Sequence, residues 1–161
     1  MIDENLSPKV ARAVLAITAA RSGFEVGHVR DHHGPGTDDT VWIRAFAEAD
    51  GNVIISGDPN ILQHWPNLVA YIESGLISFF PPKAFDRFQG YAKAAFLLRW
   101  WPCIIEKAKI SERGDCWRMP LTWSPDVQKF EELRDPRIET REGQEKLGIQ
   151  PKATIHQFKP R

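Results

Sequence analysis

The hydrophobic and polar positions of the first sixty residues fall into short apolar runs and helical repeats. The run from Val53 to Ile55 is apolar and β-branched, and it gives way to Ser56, Gly57 and Asp58. That pattern is typical of a buried strand that ends in a tight turn. The apolar positions 10, 14 and 17 recur at helical spacing behind a Ser-Pro pair, which favours a helix start.

The pattern along the rest of the chain predicts strands and helices that alternate through short loops. Strands are predicted at 1–2, 24–29, 53–55, 76–80 and 116–121, and helices at 8–22, 39–49, 61–74, 84–109 and for about ten residues from Ser124-Pro125, with interruptions at Pro66 and near Pro102 and a loop at 30–36. This order is typical of a parallel sheet with right-handed crossovers. We therefore expect a three-layer α/β/α domain over residues 1–133, with a mainly parallel sheet of about four or five strands and C-terminal helices, and a weakly packed tail over 134–161.

Composition changes this picture little. The 161 residues are 42% hydrophobic and 26% charged with zero net charge, so composition alone does not indicate a nucleic-acid binder. Residues 1–60 hold nine acidic and five basic residues, whereas residues 61–161 hold twelve and sixteen. An acidic N-terminal part and a basic C-terminal part suit a metal-binding half beside a half that contacts phosphates. The alternative is a solvated surface whose charge asymmetry arises by chance.

The two cysteines are not spaced as a metal or redox pair, and structural thiols in a reducing compartment are expected. The chain shows no signal-peptide pattern and no apolar stretch of transmembrane length. We therefore expect a cytoplasmic protein that does not contact a membrane.

Acidic residues follow two of the predicted strands and begin one helix. Asp3 follows the first strand, Asp58 follows the central strand, and Asp38 lies at the start of the second helix. Because adjacent parallel strands end at the same edge of a sheet, these three carboxylates are expected to lie close together. Their mutual repulsion is relieved by a hard divalent cation, Mg²⁺ or Mn²⁺. Such an ion activates water and stabilises charge on phosphate, which indicates hydrolysis of a phosphodiester.

Each acidic residue also has a structural explanation. Asp38 and Asp39 lie where acids commonly cap helices, and Asp58-Pro59 is a common turn sequence. Asp3 is harder to explain structurally, since an acid at a buried strand end needs a partner or a metal. The conjunction of these residues favours the metal site.

Several short motifs resemble a known family. The segments 3–8, 23–26, 28–31, 36–39 and 53–58, which read DENLSP, GFEV, HVRD, GTDD and VIISGD, resemble a PIN-like domain of the compact branch found among bacterial VapC-type toxins. The resemblance covers residues 1–80 or so. It implies a metal-dependent ribonuclease whose catalytic residues Asp3, Asp38 and Asp58 bind Mg²⁺ or Mn²⁺. It further implies the toxin of a toxin–antitoxin pair, with RNA as substrate, an antitoxin protein as partner and a homodimer.

Four further residues are predicted to support the metal ligands: Glu4, Asp39, Ser56 and Asn60. Glu4 follows the first acid in many relatives. Many relatives have Thr and a second Asp where this chain has Ser56 and Asn60; serine keeps the hydroxyl, but asparagine loses a charge, which weakens metal binding. A catalytically inactive PIN-like binding module is therefore the alternative function.

Histidines near the predicted mouth of the site form a second group of candidates. His28, His32 and His33 could bind a metal or a phosphate, and His32, His33 and Arg30 are candidate RNA contacts. A solvated polar loop is the alternative.

Tryptophans interleaved with basic residues form a third group. Trp100, Trp101 and Trp117 suit base stacking, a core seam between a helix and the last strand, or a partner interface, and the core seam is favoured. A phosphoryl-accepting receiver domain ranks below the other functions, because it needs a lysine after the fifth strand and has no use for Asp38.

Overall fold

The computed structural model describes residues 1–22, 25–58, 65–135 and 138. Helices and strands alternate along most of these residues. The helices are α1 (Pro8–Ser22), α2 (Val29–His33), α3 (Asp39–Glu48), α4 (Trp65–Glu73) and α5 (Gly90–Ile110), and the strands are β1 (Val53–Ile55), β2 (Ile77–Phe80), β3 (Cys116–Arg118) and β4 (Glu131–Glu132). The described residues also form two 3₁₀ turns, Lys83–Arg87 and Val127–Lys129.

The sheet is mainly parallel, as predicted. Its strand order is β1-β2-β3-β4; β1, β2 and β3 are parallel, and the short β4 is antiparallel to β3. Ile2 forms parallel bridges to both Ile55 and His28, so the chain start continues the sheet beyond β1. The residues that follow Ile2, β1, β2 and β3 therefore lie at one edge, which we call the carboxyl edge.

Helices cover both faces of the sheet, which confirms the three-layer α/β/α prediction. On one face, α1 and α5 pack through Val14 and Trp100 onto Ile55 and Phe79. On the other face, α3 and α4 contribute Trp42, Leu68 and Tyr71 to a second core with Ile54 and Phe80. Alternate residues of β1 and β2 thus enter opposite cores, which explains why these strands are apolar apart from Ser78.

The prediction for residues 25–36 is wrong. The expected strand at 24–29 is reduced to the single bridge at His28, and the expected loop contains α2. The His28 side chain caps this helix, because its Nδ1 accepts a hydrogen bond of 3.1 Å from the Arg30 N–H. Gly23 and Phe24, which were predicted to end α1 and begin the strand, lie outside the described residues.

Two predictions near the C-terminus are also wrong. α5 passes through Pro102 without a break; the irregular segment lies before the helix, at Phe88 and Gln89. The ten-residue helix expected after Ser124 is only the 3₁₀ turn Val127–Lys129. Beyond residue 135 only Ile138 is described, so the predicted tail lies almost entirely outside the described residues and the domain boundary at 133 stays a prediction.

None of the described helices combines the length and the apolar character that crossing a bilayer requires.

Candidate active site at the carboxyl edge of the sheet

Asp3 is the most deeply placed acid at the carboxyl edge. It directly follows Ile2, and its own N–H donates to the Ile55 carbonyl at 3.0 Å, which fixes its backbone beside β1. The side chain is fully buried. Its Oδ2 accepts hydrogen bonds from Ser56 Oγ at 2.7 Å and from Asn5 Nδ2 at 3.1 Å. Oδ1 accepts one long hydrogen bond, 3.4 Å from the Asn5 N–H.

The turn after β1 brings Ser56 and Asp58 against this carboxylate. Ser56 Oγ donates to Asp3 and accepts from the Asp58 N–H at 3.1 Å. A Cβ on Gly57 would lie 2.6 Å from the Asn5 carbonyl carbon. Only glycine permits so close an approach of two backbone segments, so Gly57 is what lets the turn after β1 pack against Asn5.

The two acids at the start of α3 have different surroundings. Asp38 is the exposed N-cap: one carboxylate oxygen accepts from the Thr40 N–H at 2.9 Å and from the Thr40 hydroxyl. These hydrogen bonds hold the pKa of the Asp38 carboxyl below its ordinary value. Asp39 is half-buried, and its oxygens accept from Trp42 Nε1 at 3.0 Å and from Asn67 Nδ2 at 3.3 Å.

Asp39 lies within electrostatic range of Asp3. Burial raises the pKa of the Asp39 carboxyl above its ordinary value, and the hydrogen bond from Trp42 opposes this. The negative charges of Asp3, Asp38 and Glu4 raise it further. Of the two acids that begin α3, Asp39 is therefore the one held between the helices beside the sheet edge.

Helix α4 adds two residues that sequence reasoning missed. Asn67 and Tyr71 are four positions apart and so share one helical face. Burial raises the pKa of the Tyr71 hydroxyl well above its ordinary value, as do the charges of Asp3, Asp39 and Asp58, while a hydrogen bond with Ser56 opposes this. Tyr71 is therefore neutral and near all three acids. The only sequence signal was an asparagine and a tyrosine at helical spacing in an otherwise apolar helix.

Glu4 lies at the outer side of the same edge. Its Oε2 accepts from the Gly36 N–H at 3.1 Å and lies 3.6 Å from Arg30 Nε. Arg30 is thus paired with an acid, and its predicted RNA contact stays a prediction. Asn60 falls within 59–64, outside the described residues.

The histidines lie elsewhere. His28 is buried, and its Nε2–H donates to the Leu6 carbonyl at 2.9 Å while Nδ1 accepts from Arg30, so both ring nitrogens are occupied in the neutral imidazole. His32 and His33 line a cavity of about 810 Å³ together with Met1, Gly27 and Val53. Met1 and Gly27 directly precede the bridge residues Ile2 and His28, and Val53 begins β1, so this cavity opens at the edge opposite to Asp3.

The tryptophan cluster is mainly core, as favoured from the sequence. Trp100 and Trp101 are buried in the core on the α1 and α5 face. Trp117 is half-buried, with Lys107 Nζ 3.6 Å from its ring centroid.

The carboxylates of this edge suit a divalent cation chemically, although they are not yet gathered around one point. Among the described residues, no group of three or more His, Cys, Asp or Glu side chains is close enough to hold a metal ion. Yet Asp3 is a buried carboxylate that accepts only neutral hydrogen bonds, and no basic side chain of the described ranges forms an ion pair with it. A buried charge in that state is costly without a cation. Oxygen donors of this kind are those that Mg²⁺ and Mn²⁺ prefer.

The protein is thus an α/β protein with acids at the carboxyl edge of its sheet, the edge at which open α/β sheets bind ligands. The chain belongs to the PIN-like domain family: a family model described as a PIN like domain matches residues 1–83, just over half of the 161 residues. This confirms the PIN-like family predicted from the motifs and points to a nuclease-type function, while the relation to VapC-type toxins stays a prediction. A search of curated proteins and a search of solved structures each found no match.

Proposed function

We propose that this protein is a metal-dependent ribonuclease that hydrolyses phosphodiesters at the carboxyl edge of its sheet. The observation that carries the proposal is Asp3, a fully buried carboxylate with neutral hydrogen-bond donors around it and with Asp39 nearby. Membership of the PIN-like family supports it. Asp3 and Asp58, as predicted from the sequence, and Asp39 in place of Asp38 are the proposed ligands of Mg²⁺ or Mn²⁺.

The exchange of Asp38 for Asp39 follows from their hydrogen bonds. Asp38 is engaged by Thr40 as the cap of α3 and faces solvent. Asp39 accepts from Trp42 and Asn67, whose amide and indole groups are neutral, so its charge is not neutralised. Burial and, to a smaller extent, the neighbouring acids raise the pKa of Asp39, and a cation at this place would offset both effects.

Each residue of the site has a defined task in this proposal. A bound divalent ion supplies Lewis acidity toward a phosphate oxygen and lowers the pKa of a coordinated water. Ser56 orients the Asp3 carboxylate by donating to Oδ2, and the buried Tyr71 lies beside Ser56. Asn67 orients Asp39 through its amide. These second contacts matter because ligand orientation governs metal affinity.

The test is cleavage of a labelled single-stranded RNA by purified protein with Mn²⁺. Asp3→Asn, Asp39→Asn and Asp58→Asn are each expected to lower cleavage by about a hundredfold or more, since each removes a charged ligand. Asp38→Asn is the matched control: asparagine caps helices as well as aspartate does, so cleavage is expected to persist. Loss of cleavage in Asp38→Asn together with full activity of Asp39→Asn would reverse the assignment.

The toxin role, the antitoxin partner, the homodimer and the cytoplasmic location extend this proposal and rest on the resemblance stated from the sequence. The toxin role can be tested with the same variants. Expression of the wild-type protein is expected to arrest growth, whereas expression of Asp39→Asn is not.

A binding module without turnover is the second candidate. It is favoured by the absence, among the residues described, of three acidic or histidine side chains close enough to share an ion. Binding of Mn²⁺ or RNA without cleavage under any metal condition would select this candidate.

A further inference from the structure

Arg118 lies at the same edge of the sheet as the acids, although it is far from them in sequence. It ends β3 and is paired in register with Phe80 of β2. Ile55 is paired with Phe79, so Ser56, Phe80 and Arg118 form one row across three parallel strands. Two strand spacings place Arg118 about 10 Å from Ser56.

Arg118 also shares a face with the candidate site. Side chains that are paired in register point to the same side of a sheet. Phe80 belongs to the core between the sheet and helices α3 and α4, and its ring contacts the ring of Tyr71 edge-on, with centroids 5.2 Å apart. Arg118 therefore lies beyond Phe80 on the side that carries Tyr71, Ser56 and Asp39.

Two of the three guanidinium nitrogens of Arg118, Nε and Nη2, are buried and have no hydrogen-bond partner among the described residues. The residue as a whole is partly exposed. Glu131, its neighbour across the strand pair, is exposed and forms no ion pair with it among the described residues. Arginine is always charged in proteins, so this arrangement is unfavourable until an anion reaches it.

We infer that Arg118 binds a backbone phosphate of an RNA strand whose neighbouring phosphate occupies the acidic site; this inference rests on the proposed function. A planar guanidinium binds phosphate through two parallel hydrogen bonds, and the unpartnered Nε and Nη2 would supply them once the side chain turns out of its covered position. The acids, with a divalent ion, and Arg118 then hold successive positions of one strand along the carboxyl edge. Arg118 lies outside the residues 1–83 that the family model matches, so this contact is a feature of the C-terminal half of this chain.

The inference is tested by measuring RNA binding to the Asp58→Asn variant. This variant is expected not to cleave the RNA, so the RNA stays intact during the measurement. The affinity for a fluorescent single-stranded RNA is measured by anisotropy over a series of salt concentrations with Mn²⁺. Arg118→Met is expected to weaken binding roughly ten- to hundredfold and to reduce the slope of log affinity against log salt by about 0.7. Arg118→Lys keeps the charge but loses the two parallel hydrogen bonds. Its RNA affinity is expected to lie between those of the Asp58→Asn protein with Arg118 and of Arg118→Met. Lys109→Gln removes an exposed charge at the far end of α5 and is expected to change the affinity little.

Stability without RNA provides the independent readout. Replacing an unpaired buried guanidinium by an apolar side chain is expected to leave the melting temperature unchanged or to raise it. A clear fall in the melting temperature of Arg118→Met would show that the guanidinium already has a structural partner and would overturn the inference. So would unchanged RNA affinity and salt slope.

The outcomes separate this inference from the proposed function. RNA binding that depends on Arg118 without cleavage by the wild-type protein supports the inference and rejects the ribonuclease. Cleavage that is indifferent to Arg118→Met in both KM and salt dependence rejects the inference and keeps the ribonuclease. A protein that neither binds nor cleaves RNA rejects both.

Discussion

Ser56 connects the buried acid to the rest of the candidate site. It donates to Asp3 and accepts from the Asp58 backbone N–H, and Tyr71 of α4 lies beside it, so three elements of the chain meet near one hydroxyl. An acid that is buried beside such a donor keeps a fixed orientation before any ion arrives. This preorganisation is what a metal ligand needs from its neighbours.

Replacing Ser56 with alanine is expected to lower the free energy of unfolding by about 1–3 kcal/mol, because a buried carboxylate oxygen loses its shortest hydrogen bond. The affinity for Mn²⁺ is expected to fall about tenfold or more, as for lost support of a ligand. Urea unfolding and calorimetric titration measure the two effects. Ser78→Ala is the matched control, since Ser78 is equally buried on β2 but donates only at 3.5 Å, to a backbone carbonyl. Equal losses in both variants would assign Ser56 to packing alone.

The choice between Asp38 and Asp39 shows how precisely the sequence predicts the role of a single residue. The motif places two acids at the start of a helix, and both were named as candidates. Successive residues of a helix differ by about 100° in direction, so the residue at which the helix begins decides which acid faces the sheet. Thr40, through its backbone and hydroxyl, makes Asp38 the cap, and this leaves Asp39 facing Trp42 and Asn67.

At the scale of elements, helix α5 shows tertiary packing overriding a local rule. Pro102 removes one backbone hydrogen bond, and for that reason a break was predicted near it. Trp100, Trp101 and Ile104 are all buried against α1 and the sheet, and these contacts hold the helix together across the proline. Propensity is a weak prior wherever an apolar face is so well packed.

Pro102→Ala is therefore expected to stabilise the protein. Pro102 is exposed, so alanine restores the missing backbone hydrogen bond without disturbing the core. The free energy of unfolding is expected to rise by about 1–3 kcal/mol, up to the difference in helix propensity between the two residues. Glu106→Ala, at an exposed position one turn later, is the control and is expected to change it by less than about 0.5 kcal/mol. A loss of stability in Pro102→Ala would mean that the proline ring itself is packed.

The missing helix after Ser124 has an equally physical reason. A Ser-Pro start was the signal, but Phe130 and Leu133 decide the outcome. Phe130 is buried in the core on the α1 and α5 face, and Leu133 is buried in the core on the α3 and α4 face. Residues three apart lie on one side of a helix, so a helix could not place them on opposite faces of the sheet. Extended chain beside β3 does so, and Leu133 donates its N–H to the Cys116 carbonyl at 2.8 Å.

For the molecule as a whole, the sequence predicts those features that follow from repeated patterns of apolar and polar residues. Apolar strands, the Ser7-Pro8 helix start and the order of elements specify the parallel sheet and hence the edge at which Asp3 and Asp58 meet. Asn67, Tyr71 and Arg118 could not be predicted as members of this edge, because each reaches it through packing between elements distant in sequence. The contribution of Arg118 in particular depends on the register of β3 against β2.

The cost of half-burying Asp39 close to other acids appears as a dependence of stability on pH. The pKa of Asp39 is raised in the folded protein above its ordinary value of 3.8, so the folded state binds this proton more tightly than the unfolded chain does. The stability that this proton contributes is complete below pH 3.8 and is lost as the pH rises through the higher folded-state pKa. At neutral pH without metal, the folded protein therefore bears an unfavourable charge at Asp39.

Asp39→Asn removes that charge and keeps the side-chain oxygen that Trp42 Nε1 needs. Without metal, the variant is expected to be more stable than the wild-type protein at neutral pH, with the difference shrinking as the pH falls toward 4. Saturating Mn²⁺ is expected to reverse the order, because a ligand that binds only the folded wild-type site adds its binding free energy to the stability. Urea unfolding at a series of pH values, with EDTA and then with Mn²⁺, measures both effects. A variant that is less stable at neutral pH in EDTA would show that the Asp39 charge is already compensated in the fold, and the acid edge would then not need a cation.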